Sequence, residues 1–153
     1  DESAALLLSA TCEFRRSTAS LRAVTLDVKK LAYECAFDGD PAGARMVLGE
    51  PKRAGFKEKL LAKDRRAGEA AVLGQHFVIE SVHEYAGSRL DAQSPLGYVI
   101  SSDGLPVAAV DLLDWNPVLH MAEGLPQGQQ RAVVAVALTL AVLRDPSVSA
   151  LED

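Results

Sequence analysis

Four side chains with metal-binding chemistry lie close together in this sequence: His76, Glu80, His83 and Glu84. On a helix they would fall at i, i+4, i+7 and i+8 along one face, and Glu80-x-x-His83 would match part of the carboxylate and imidazole set that holds paired iron ions in helical bundles. On a strand, His76, Glu80 and Glu84 point one way and His83 the other. The intervening Phe77-Val78-Ile79 run favours the strand. The expected reading is therefore a row of solvent-facing strand polars, with a metal-dependent enzyme using this region as the alternative. A second segment that would complete an iron site is not recognisable.

A second cluster is electrostatic. Lys52, Arg53, Lys57, Lys59, Lys63, Arg65 and Arg66 stand against only Glu58 and Asp64, a local charge of +5 that leaves −10 for the rest of a chain whose net charge is −5. Seven cations in fifteen residues suit an anion or headgroup site, because Lys and Arg pair with phosphate oxygens. The competing reading is a solvated face balancing the acidic remainder through surface pairs, each worth little. The overall negative charge excludes general affinity for DNA, RNA or an anionic membrane, which depends on widespread neutralisation of phosphates.

Other chemistry is sparse. No Gly-x-Ser-x-Gly elbow, phosphate loop or dinucleotide fingerprint occurs. Ser94 before Pro95 and the Ser101-Ser102 pair before Asp103 read as turn residues. Asp111 and Asp114 flank the end of an apolar run near Trp115, where a polar strand face is the simpler reading, and His120 reads as a structural histidine. Cys12 and Cys35 are the only cysteines, too few for a zinc site. One disulfide or two buried thiols would fit, with thiols expected in an intracellular chain. No catalytic residue and no cofactor is assigned.

The elements that must position these groups are mostly strands. Cys12, Phe14 and Arg16 share one face of an extended segment. Val24, Leu26 and Val28 alternate with Thr25 and Asp27, and Tyr33, Cys35 and Phe37 alternate with Glu34 and Ala36. Asp38-Gly39-Asp40-Pro41 and Gly49-Glu50-Pro51 are turn signals. The segment from Phe56 to Arg66 fits a short helix or a loop equally well. Gln75 to Tyr85, Gly97 to Ser101 and Pro106 to Leu113 read as strands, and Asp103-Gly104 between the last two is the clearest hairpin signal in the chain. A short strand over Val118 to Met121 completes the series.

A helix is expected from about Pro126 to Arg144, with proline suited to its first turn and Asp145-Pro146 ending it. Its centre, Ala132 to Leu143, contains one polar residue, Thr139. Twelve helical residues reach roughly 18 Å, short of the roughly 30 Å hydrocarbon core, so no membrane span is expected. A helix apolar on all sides must be enclosed. Strands curled around it, or a sheet on one side and a partner subunit on the other, are the two economical solutions.

Short strands first, then Ser94-Pro-Leu-Gly-Tyr-Val-Ile100, Asp103-Gly-Leu-Pro-Val-Ala-Ala-Val110 and a terminal Ala/Val/Leu helix, in that order, resemble the tubby-like superfamily, nearest its phospholipid scramblase and LURP-one-related branch. The resemblance covers roughly residues 75 to 146 and implies a closed β-barrel threaded by the hydrophobic C-terminal helix. It also implies recognition of phosphoinositide headgroups by basic residues, although it does not reach the Lys52 to Arg66 segment.

Taken together, the expected fold is α+β and mainly antiparallel β: a curled sheet or β-barrel enclosing a hydrophobic C-terminal helix, in one domain over residues 1–153, strand-rich over 8–121 with the buried helix over 126–144. The expected function is a non-enzymatic interaction or ligand-binding protein that recognises an anionic lipid headgroup or a partner protein. A metal-dependent enzyme and a homo-oligomeric subunit packed through its helix are the alternatives. A cytoplasmic location is expected. The chain starts at Asp1, which leaves an excised leader open, while Ala4 to Leu8 is too short for a signal-peptide core.

Overall fold

The computed structural model describes residues 8–16, 21–27, 30–40, 43–52, 65–84, 87, 92, 94–114 and 116–143. Eight strands, β1 (Ser9–Arg15), β2 (Ala32–Asp38), β3 (Ala44–Gly49), β4 (Ala67–Val72), β5 (Gln75–Val82), β6 (Gly97–Ser102), β7 (Leu105–Asp111) and β8 (Val118–Met121), precede one described helix, α1 (Gln127–Val142). Every strand pairs antiparallel with its neighbours in sequence, in the order β1-β2-β3-β4-β5-β6-β7-β8. The expectation of a mainly antiparallel β fold with a C-terminal helix holds. The barrel does not: β1 and β8 do not pair, and the sheet is open.

Alternation divides the sheet into two faces. One carries Tyr33, Cys35, Phe37, Met46, Leu48, Ala70, Val72, Phe77, Ile79, Tyr98 and Ile100, all buried, and α1 lies across it. The helix reaches β4 and β7 and buries Ala132, Val133, Val136, Ala137 and Leu140. Full burial of each Val or Leu contributes about 1.5–3 kcal/mol. Thr139 is tolerated in this layer because its hydroxyl donates to the Ala135 carbonyl at 2.9 Å. Pro126 stands at the N-cap, one position before the first helical residue, and its carbonyl accepts the first helical bond from Gln130 at 2.9 Å.

The helix is not enclosed on all sides. Val134, Leu138 and Val142, spaced four residues apart, are exposed, Leu138 to 63%. An open sheet can cover one side of a helix only, so the continuous apolar run serves one buried face and one outward stripe.

Of the two states open to the cysteines the disulfide is the one present, joining Cys12 and Cys35 directly opposite each other on β1 and β2. Two further expectations need correction. Of the strand expected over Val24 to Val28, the described residues 24–27 form an irregular segment with a bridge between Leu26 and Pro51, and Val28 lies outside the described residues. The strand starting at Gln75 ends at Val82 and does not reach Tyr85. The segment of uncertain type from Phe56 lies outside the described residues up to position 64, and Arg65 and Arg66 lead into β4.

The hairpin turns follow local chemistry. Asp103 and Gly104 take φ of 52° and 80° between β6 and β7, the left-handed pair that a two-residue hairpin requires. The β4–β5 turn uses Leu73 and Gly74 at 51° and 75°. Leucine is unusual there, and its N–H is held by Asp40 Oδ2 at 2.6 Å.

Candidate functional site

The face of the sheet away from α1 carries charge. The cross-strand register aligns Glu13, Glu34, Val47, Glu69 and Val78 in one row, with Arg45, Ala71 and His76 in the next. Glu34 and Glu69 are only 6% exposed. A carboxylate so buried must find donors, because an unpaired buried charge costs several kcal/mol.

Glu69 is satisfied by two elements. Its Oε1 lies 2.8 Å from His76 Nε2 on the neighbouring strand, and its Oε2 accepts the backbone N–H groups of Ala23 and Val24 at 3.0 and 3.3 Å. Those amides belong to the segment over residues 21–27, which folds over this face. It is anchored by Asp27 N–H on the Glu50 carbonyl and Lys52 N–H on the Thr25 carbonyl, both at 2.8 Å. Its Leu26 packs close over Gly49.

Glu34 is satisfied by arginines from both flanking strands. Arg15 Nε donates to Glu34 Oε2, while Arg45 Nη2 stands 3.8 Å from Glu34 Oε1. The hydrogen bond to Glu34, then its negative charge, raise the Arg15 guanidinium above its ordinary value. Glu13 adds a contact to Arg15 at 3.0 Å.

Beside Glu69 lies a recess of about 160 Å3. Leu21, Val47, Ala70 and Ala71 supply apolar wall, Arg22, Arg45 and His76 supply polar groups, and Glu69 also lines it. With three donors on its carboxylate, Glu69 serves to hold the His76 ring, whose side chain remains 45% exposed. The recess presents two guanidinium groups and an oriented imidazole against a short hydrocarbon surface. Its volume is below the roughly 300–1,000 Å3 typical of pockets for drug-sized ligands, so an occupant is small.

The residues singled out in the sequence are dispersed. His76 and Glu80 share the outer face of β5, whereas His83 follows the strand, is 2% exposed and is held within the fold. Its Nδ1 bonds the Ala92 carbonyl at 3.0 Å and its Nε2 lies 2.7 Å from Ser81 Oγ. A carbonyl only accepts, so Nδ1 carries the proton and Nε2 accepts from the serine. Ser81 Oγ in turn accepts the Arg66 N–H at 2.8 Å, so this cluster ties three chain segments together. Glu84 is exposed. Among the described residues no three His, Cys, Asp or Glu side chains group as a metal site.

Of the basic segment, Arg53, Lys57, Lys59 and Lys63 lie outside the described residues. Lys52 is exposed, and the largely buried Arg66 pairs with Glu50 at 3.4 Å. Asp111 accepts the Leu113 N–H at 2.9 Å as a turn acceptor, and His120 is exposed on β8. The sequence reading passed over Glu69, Arg45 and Arg22. The available signal was Glu69 itself, a lone charge in Ala67-Gly-Glu-Ala-Ala-Val72, where small neighbours give little indication of either period.

No protein-family model matches this chain, and no curated protein or solved structure matches it either. Nothing in these comparisons identifies the tubby-like superfamily, and the open sheet differs from the closed barrel that the resemblance implies. Among the described residues no helix is long and apolar enough to cross a membrane.

Proposed function

We propose that this protein is a non-enzymatic binding module that takes a small carboxylate with a short aliphatic chain into the recess between β3, β4, β5 and the segment over residues 21–27. The observation that carries the reading is the convergence of Arg22, Arg45 and His76 on an apolar-walled recess in which Glu69, the one acid among the described lining residues, already accepts from three donors. A carboxylate there meets the guanidinium groups of Arg22 and Arg45, the latter shared with Glu34 at 3.8 Å. A planar guanidinium matches its two oxygens. The hydrocarbon part would rest on Leu21, Val47 and the alanines. The anionic ligand expected from the basic cluster is kept in kind, with Arg45 of β3 and Arg22 of the covering segment as the cations of this recess.

Titration with butyrate, followed by NMR signals of Ala71 and His76, tests this. Saturable shifts are expected, weakened about tenfold or more in Arg45→Ala, the equivalent of one charge-assisted hydrogen bond. Absence of saturable shifts, or identical affinity in Arg45→Ala and Arg22→Ala, would overturn the reading. Inorganic phosphate binding as tightly as butyrate would remove the aliphatic part of it.

A further inference from the structure

We propose that the recess takes a short hydroxy acid, its carboxylate on Arg22 and Arg45 and its terminal hydroxyl donating to His76 Nδ1, with Glu69 fixing which ring nitrogen accepts. The inference rests on the carboxylate-binding reading and names the ligand class.

The state of the imidazole follows from its partner. Glu69 Oε2 accepts the Ala23 and Val24 N–H groups, and its Oε1 faces His76 Nε2 at 2.8 Å. A carboxylate only accepts, so Nε2 carries the proton. The neutral ring has one N–H, which leaves Nδ1 as an acceptor. The bond to Glu69 is the ring's one hydrogen bond among the described residues. His76 lines the recess with its side chain 45% exposed, so Nδ1 is left to an occupant.

An occupant that satisfies Nδ1 must bring a donor. A hydroxyl does so without charge, whereas an ammonium group would be repelled by the Arg22 and Arg45 guanidinium groups. The register sets where that hydroxyl belongs. Ala71 stands opposite Arg45 on one side and opposite His76 on the other, so the two Cα atoms are two strand spacings, roughly 10 Å, apart. Between them Ala71 is exposed and offers only a methyl group. A carboxylate on the arginine side therefore directs the far end of its chain to His76, as in 4-hydroxybutyrate.

Glu69 acts as a positioning residue. In Glu69→Gln the amide oxygen is still required by the Ala23 and Val24 N–H groups, which turns the amide NH2 toward His76. Nε2 must then accept, and the ring proton moves to Nδ1.

Nitrogen-15 NMR of the His76 ring at about pH 8, where imidazole side chains are ordinarily neutral, together with titrations of butyrate, 4-hydroxybutyrate, 4-methoxybutyrate and 4-aminobutyrate, tests this. The parent should show the Nε2–H tautomer and bind 4-hydroxybutyrate about three- to tenfold more tightly than butyrate, the gain of one neutral hydrogen bond. The methoxy compound, which cannot donate, and the ammonium compound should show no such gain. In Glu69→Gln the proton should appear on Nδ1 and the advantage of hydroxyl over methoxy should vanish, a change that loosened packing alone would not produce. An Nδ1–H or doubly protonated ring in the parent overturns the proposal, as does 4-methoxybutyrate or 4-aminobutyrate binding as tightly as 4-hydroxybutyrate. An unmoved proton in Glu69→Gln overturns the positioning role. Butyrate binding with no gain for 4-hydroxybutyrate overturns the hydroxyl and leaves the carboxylate reading standing, whereas binding of neither acid overturns the carboxylate reading and the ligand class with it.

Discussion

Truncating two leucines of α1 separates a helix lying on a sheet from one enclosed within it. Leu140 is 0% exposed on the face toward the sheet, and Leu138, two positions earlier, is 63% exposed. Leu140→Ala removes buried methyl groups and leaves a cavity, at a cost of about 2–5 kcal/mol. In a chain of this size each kcal/mol shifts Tm by about 2–4 °C, so the melting point should fall by roughly 4–20 °C. Leu138→Ala gives up only a fraction of a transfer energy and gains a better helix former, so its cost should stay below about 1 kcal/mol. Differential scanning calorimetry of the two variants beside the parent, at several protein concentrations, measures both. A Leu138→Ala loss as large as that of Leu140→Ala would refute the one-sided packing, because it would require a second layer over Val134, Leu138 and Val142. A negligible effect of Leu140→Ala would refute the docking of the helix on β4 and β7.

Other expectations follow from single contacts. Gly68→Ala should cost more than the roughly 1–3 kcal/mol of ordinary overpacking, since its Cβ would stand 1.8 Å from the Val47 carbonyl oxygen; a urea midpoint close to the parent's would contradict the β3–β4 packing. Glu69→Ala strands His76 and two backbone amides and should lower stability by about 3 kcal/mol in urea, with Glu69→Gln losing less because an amide oxygen still accepts. Burial raises the Tyr33 hydroxyl above 10.0. The neutral phenol is the favoured folded form, so its contribution is fully present below pH 10.0 and is lost as pH rises from there through the folded value, the unfolded chain ionising first. Tyr33→Phe should flatten that alkaline decline, and an identical decline in both proteins would assign it to another group.

The parts of the fold that were legible are those with strong local codes. Tyr33, Cys35 and Phe37 alternate with Glu34 and Ala36 as β2 does, Asp103-Gly104 turns where it should, and the end strand Val118–Met121 is in place. β4 was invisible because Ala, Gly and Glu are poor strand formers in isolation, and it is held in the sheet by the neighbours on either side. Val24, Leu26 and Thr25 carry a strand pattern without being a strand, since they cover the sheet face and do not extend it. The apolar helix was read as enclosed because composition counts apolar residues and not the side they face. The recess was beyond local reading altogether: Arg22, Arg45, Glu69 and His76 come from four separate segments, and only the register of β3, β4 and β5 brings them together.

Because each strand pairs only with its chain neighbours, the order in which this protein forms is constrained. Extending the sheet never requires a search for a distant segment: the Leu73-Gly74 and Asp103-Gly104 turns bring their strands together within microseconds on the usual scale for hairpins. The return of α1 across β4, roughly sixty residues upstream, is a long-range contact, and loop closure makes such contacts the slow ones. Folding should therefore resemble a zipper closed by a clasp, in which the apolar face of the half-formed sheet waits uncovered until α1 is in place. The C-terminal helix is the step on which solubility during synthesis depends, and a ribosome stalled before Gln127 would present that face to whatever chaperone is at hand.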